Sequence, residues 1–120
     1  MFQANECTTA LQKKADFLNK LSETARSLAD AVETLADASA SLELYKDELE
    51  LDLEGDHEGE VDEEAVAKSK AEVAQKEAEF AKALLNVERL ESRLESFKDS
   101  VACLGHQLKH IVPAHLLPKN

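Results

Sequence analysis

Residues 18–42, LNKLSETARSLADAVETLADASASL, contain no glycine or proline. They place Leu18, Leu21, Ala25, Leu28, Val32, Leu35, Ser39 and Leu42 at alternating steps of three and four. An apolar repeat of 3.5 residues is the mark of a coiled-coil helix. The repeat extends upstream through Leu11, Cys7 and Ala4 and downstream to Leu49, with Lys14 and Lys46 as its polar positions. The spacing therefore predicts one long helix over about residues 5–50.

A second repeat follows. Val66, Val73, Phe80, Val87, Leu94, Val101 and Leu108 recur every seven residues. Leu90, Phe97, Leu104 and Ile111 supply the second seam position in the later half, and Ala67, Ala71, Ala74, Ala78 and Ala81 are expected to supply it earlier. Asp62 is placed to cap this helix, with Glu63 and Glu64 facing its positive end and Val61 placed to staple onto Val66. Pro113 ends it. The predicted helix covers about 62–112, with a short tail over 113–120 whose Leu116 and Leu117 are expected to pack on the end of the bundle. Gly55 and Gly59 mark a turn between the helices.

The expectation is all-α: one antiparallel two-helix coiled-coil hairpin over residues 1–120. The candidate packing seam is Leu18, Leu21, Leu28, Val32, Leu35 and Leu42 on the first helix. On the second it is Val73, Phe80, Leu84, Val87, Leu94, Phe97, Val101 and Leu104. Beside the first seam lie Ala10, Ala15, Phe17, Ala29, Ala31, Ala36, Ala38 and Tyr45. An apolar face wider than a strict seam suits a four-helix bundle. Hairpins are thus expected to dimerise or to dock on helices of another protein. A monomeric hairpin with an alanine-rich flank is the alternative, since alanine is tolerated anywhere on a helix.

Charge is concentrated rather than spread. The net charge is −11, and residues 43–64 carry all of it, so the remainder of the chain balances. The acidic tip, expected over about 51–61 with acidic flanks, comprises Asp47, Glu48, Glu50, Asp52, Glu54, Asp56, Glu58, Glu60, Asp62, Glu63 and Glu64. From Glu48 to Asp62 every second residue is acidic, a period that suits a short β-ribbon better than a helix. Acids at the end of the first helix also oppose its dipole. The tip reads as a docking site for a basic surface, with a solvated loop as the plain alternative. A calcium loop is a third reading. Residues 54–65 follow the EF-hand order, with Gly59 at the sixth position, but Glu54 opens the loop and Ala65 stands where a bidentate Glu belongs.

The second candidate site is a stripe on the C-terminal helix: Asp99, Cys103, His106 and His110. His106 and His110, four residues apart, have the spacing that chelates a divalent metal. A surface face that happens to carry two histidines is the alternative. Cys7 lies on the seam and Cys103 on the outer face, so no disulfide is expected between them.

Several functions are disfavoured. Nucleic acid binding needs clustered Lys and Arg, which are missing. No phosphate loop, nucleophile elbow or zincin motif occurs, and the only Glu-x-x-His, Glu54 to His57, lies in the turn. No enzyme activity, cofactor or small-molecule substrate is expected. No apolar run approaches a membrane span and no secretory leader is evident, so a cytoplasmic protein with reduced thiols is expected. The composite expectation is a non-catalytic coiled-coil assembly or adaptor subunit. It would act as a homodimer or in a helical hetero-complex and present its acidic tip to a basic partner. One alternative is a small acidic inhibitor that imitates nucleic acid, although a mimic should spread its acids over a long face. Another is a metal-responsive protein using His106 and His110.

Overall fold

The computed structural model describes residues 4–55 and 59–117. It is a helical hairpin. Helix α1 spans Ala4–Glu54, helix α2 spans Glu63–Ile111, and a 3-10 turn covers Ala114–Leu116. No strand occurs among the described residues. The chain divides into two compact units, Ala29–Arg89 and Met1–Leu28 with Leu90–Asn120.

In the Ala29–Arg89 unit the helices are joined by the turn. Gly55 and Gly59 take positive φ, 82° and 79°. At Gly55 a β-carbon would sit 2.6 Å from the Glu60 carbonyl oxygen, so only glycine fits there. Asp62 then starts α2. Its Oδ1 accepts hydrogen bonds from the backbone N–H groups of Glu64 (3.0 Å) and Ala65 (3.3 Å), satisfying donors that the first turn leaves free. The helices run antiparallel in this unit. Lys76 Nζ lies 5.1 Å from the Tyr45 ring centre, and Ser69 Oγ donates to the Asp52 carboxylate.

The unit formed by Met1–Leu28 and Leu90–Asn120 is also an antiparallel helix pair. Phe17 meets Phe97 with ring centres 6.2 Å apart. Gly105 leaves room for Lys14, whose Nζ would be 4.0 Å from a β-carbon there. The stem of Lys14 thus passes along the seam while its charge reaches the edge. Pro113 follows the last turn of α2, and the 3-10 turn forms with Leu116 N–H donating to the Pro113 carbonyl (2.9 Å). Leu116 stays exposed, against the expectation that it packs on the bundle end, while Leu117 is half-buried.

The seam is turned by one residue from the sequence expectation. On α1 the column Cys7, Lys14, Leu21, Leu28, Leu35, Leu42 and Leu49 is half-buried, as the repeat predicts. The second column is Ala10, Phe17, Thr24, Ala31, Ala38, Tyr45 and Asp52, not the Leu11–Lys46 column. Leu18 and Val32 are therefore outside the seam, 44% and 48% exposed, and Leu11 is 51% exposed. On α2 the Val66–Leu108 column packs inward, partnered by Ser69, Lys76, Ala83, Leu90, Phe97, Leu104 and Ile111. Ala67, Ala71, Ala74, Ala78 and Ala81 are exposed, and so is Leu84.

Side-chain volume gives the reason. The two α1 columns are one residue apart, so both are compatible with the 3.5-residue repeat. α2 presents Val, Phe and Leu, and close packing sets large residues against small ones. The alanine column lets the helices approach, and its two aromatics find Phe97 and Lys76. Ala10, Ala31, Val66, Val73, Val87, Leu90, Leu104 and Leu108 form the buried apolar core. No described side chain is buried completely, because two helices cannot enclose a residue on all sides.

The rotated seam makes a sharp contrast between near neighbours on α2. Val87→Asp, which puts a charge in the seam, should destabilise the fold by about 3 kcal/mol or more. Leu85→Asp, on the outer face, should change stability by no more than about 0.5 kcal/mol. Urea unfolding followed by circular dichroism measures both. At the turn, Gly55→Ala should cost more than Gly59→Ala, which has open space around its β-carbon.

Candidate functional site

The acidic segment does not form a β-ribbon. α1 continues through Glu54, so Asp47, Glu48, Glu50, Asp52 and Glu54 all lie on its last turns. No basic residue stands in the last turn to offset the dipole there. Alternating Leu49, Leu51 and Leu53 suggested a strand, but the seam needs only Leu49 and Asp52 from this stretch. Leu51 and Leu53 are exposed. Helix propagation from the long run of α1 that precedes it, from Ala4 onward, outweighs a weak local alternation.

The described acids differ in exposure and role. Asp47, Glu48, Glu50, Glu54, Glu60, Glu63 and Glu64 are exposed. Asp52 is not a free tip charge: it is half-buried at a seam position and accepts the Ser69 hydroxyl proton, Ser69 itself being buried. Asp62 is occupied as the cap of α2. Asp56, His57 and Glu58 lie outside the described residues. The calcium-loop reading therefore has Glu54 on the end of α1 and Ala65 within α2, where its methyl group supplies no oxygen. No group of three or more His, Cys, Asp or Glu that could hold a metal occurs among the described residues.

On α2, Asp99, Cys103, His106 and His110 are all exposed. The His106 and His110 rings are neighbours, with centres 5.0 Å apart and planes at 82°. Cys7 is half-buried, Cys103 is exposed, and both thiols are free. Each unit also carries an open groove. One, of about 340 Å³, is lined by Thr9, Ala10, Lys13, Leu104 and Ile111 among others. The other, of about 470 Å³, is lined by Thr34, Lys82, Ala83, Leu85, Asn86 and Arg89 among others. Neither lining sets a nucleophile beside a base, and Arg89 is engaged with the Asn86 side-chain oxygen (2.9 Å).

Leu11, Leu18, Val32 and Leu84, expected in the seam, and Leu116, expected on the bundle end, are among the exposed apolar residues. In the Ala29–Arg89 unit the exposed apolar residues are Val32, Leu44, Leu51, Leu53, Val61, Leu84 and Leu85; in the other unit, Leu11, Leu18 and Leu116. No described helix is long and apolar enough to cross a membrane. Comparison with known proteins gave no match: no family model, curated protein or solved structure matches the chain.

The Asp52–Ser69 contact predicts a measurable coupling. Asp52→Ala and Ser69→Ala should be non-additive by about 1 kcal/mol in a double-mutant cycle. Glu50→Ala combined with Ser69→Ala should be additive. Equal coupling for both pairs would place Asp52 in solvent with the other acids.

Proposed function

We propose that this hairpin is a non-catalytic assembly or adaptor subunit that packs through its helical body and offers an acidic tip to a basic partner. The observation that carries this reading is the exposure of Leu11 and Leu18 in one unit and of Val32 in the other, each outside the seam of its own helix pair. Single exposed leucines need no explanation, but a helix that keeps a spare apolar column has surface to bury. A second hairpin pairing through that column would give a four-helix bundle, and helices of a different protein would satisfy it equally.

The tip supplies the second element. Glu48, Glu50 and Glu54 are exposed acids at the negative end of α1's dipole, where they repel one another and the helix end. A basic surface would offset both effects and would be drawn to the tip at long range. The proposal includes a cytoplasmic location and no direct binding of nucleic acid.

Two measurements test this. Sedimentation equilibrium at micromolar concentration should give a dimer mass for the wild-type chain. Leu18→Asp with Val32→Asp should give a monomer that keeps its helicity, because both residues are exposed within one hairpin. A wild-type monomer that captures no helical partner would remove the basis for the adaptor reading. For the tip, Glu48, Glu50 and Glu54→Gln should leave the fold intact or slightly more stable. The same change should weaken capture of a basic partner, and wild-type capture should fall steeply with salt.

A further inference from the structure

We propose that His106 and His110 form a chelating pair for a late first-row divalent metal ion, of the Zn²⁺, Ni²⁺ and Cu²⁺ class. Three observations converge on it. First, the spacing of four residues puts both imidazoles on the same side of α2 one turn apart. Second, the rings are already neighbours at 5.0 Å between centres. Two imidazoles bound to one ion, each through a nitrogen about 2.0–2.1 Å away, have ring centres roughly 4.5–5.2 Å apart. The observed separation falls in that window, which overlaps that of an edge-to-face ring contact, so an ion could be taken up without a shift of the backbone. Third, both rings are exposed on the outer face of α2, so neither is held by the seam; they meet edge to face at 82°, and one ring must turn before both present a nitrogen to the same ion.

The ligand type selects the metal. Imidazole nitrogens favour copper, nickel and zinc over calcium and magnesium, which prefer the carboxylates of the tip. Two protein nitrogens leave the remaining positions of the ion to water or to an outside donor. The site's position on the helix adds to the case. His110 lies in the last turn of α2, which ends at Ile111, and a divalent charge there faces the negative end of the helix dipole. Gly105 immediately precedes the pair and weakens the helix by about 1 kcal/mol relative to alanine. An ion held between 106 and 110 spans the turn that follows that weak point and would hold it helical. The bound form is then a C-terminal clamp on α2, separate from the acidic tip.

The experiment uses the full 120-residue chain with Zn²⁺ or Ni²⁺ alone as probe, in excess Ca²⁺ to occupy the carboxylates. Calorimetric titration should show binding that His106→Ala or His110→Ala each weakens by about tenfold or more. His57→Ala and His115→Ala, which remove the chain's other two imidazoles, should leave it unchanged, as should Cys103→Ser. Hydrogen exchange should slow on adding metal at amides 107–112 in the wild type and not in the two variants. Circular dichroism of each variant without metal should match the wild type, since both rings are exposed. Binding that survives His106→Ala and His110→Ala, or that is lost with Cys103→Ser instead, would overturn the proposal. So would the absence of any metal-dependent change in exchange near the end of α2.

Discussion

The hairpin depends on a seam only one layer of side chains thick. Two helices meet along two columns each, and every residue in those columns keeps an edge toward solvent. A fully buried Leu or Val contributes about 1.5–3 kcal/mol, and a partly exposed one contributes less. Fit along the seam therefore matters more than the size of any single residue. Ala10 and Ala31 are buried on α1, Phe17 meets Phe97, and polar positions find matched partners in Lys76 with Tyr45 and Ser69 with Asp52. A mismatch at one layer has no surrounding core to absorb it.

Most of the architecture is legible in the sequence for a simple reason. A repeat of 3.5 residues sustained over six heptads has no other stable outcome than a long helix with a packing stripe. The Val66–Leu108 column, Asp62 as cap and Pro113 as stop are local signals that need no tertiary knowledge. The second column of α1 was not legible. Leu11, Leu18 and Val32 are more apolar than Ala10, Thr24 and Ala31, and hydropathy alone ranks them as core. The choice depends on the volume presented by α2, which is information held elsewhere in the chain: Asp52 meets Ser69, and Phe17 meets Phe97.

The same logic explains the end of α1. An alternating pattern over Leu49–Leu53 is a fair strand signal in isolation, but a helix already propagating supplies a hydrogen bond for each residue it adds. Asp52 looks like one acid among many in a run. Its role as the seam partner of Ser69 emerges only from register. The other described acids of the tip keep the exposure that composition implied, and His106 and His110 are exposed on α2. What rotation of the seam changes is the outer surface of α1, which gains a column of leucine and valine. Those exposed residues are the physical basis for proposing an assembly role.

The register of the seam is best tested by thiol reactivity at adjacent positions on α1. With Cys7 and Cys103 replaced by serine, single cysteines at Ala31→Cys and Val32→Cys would be labelled at submicromolar concentration, where association between chains is minimal. The rotated seam predicts slow labelling at 31 and rapid labelling at 32, with the same contrast between Ala38→Cys and Ser39→Cys. The reverse order at both pairs would mean that the leucine and valine column faces α2 after all, and the account of the exposed surface would fall with it.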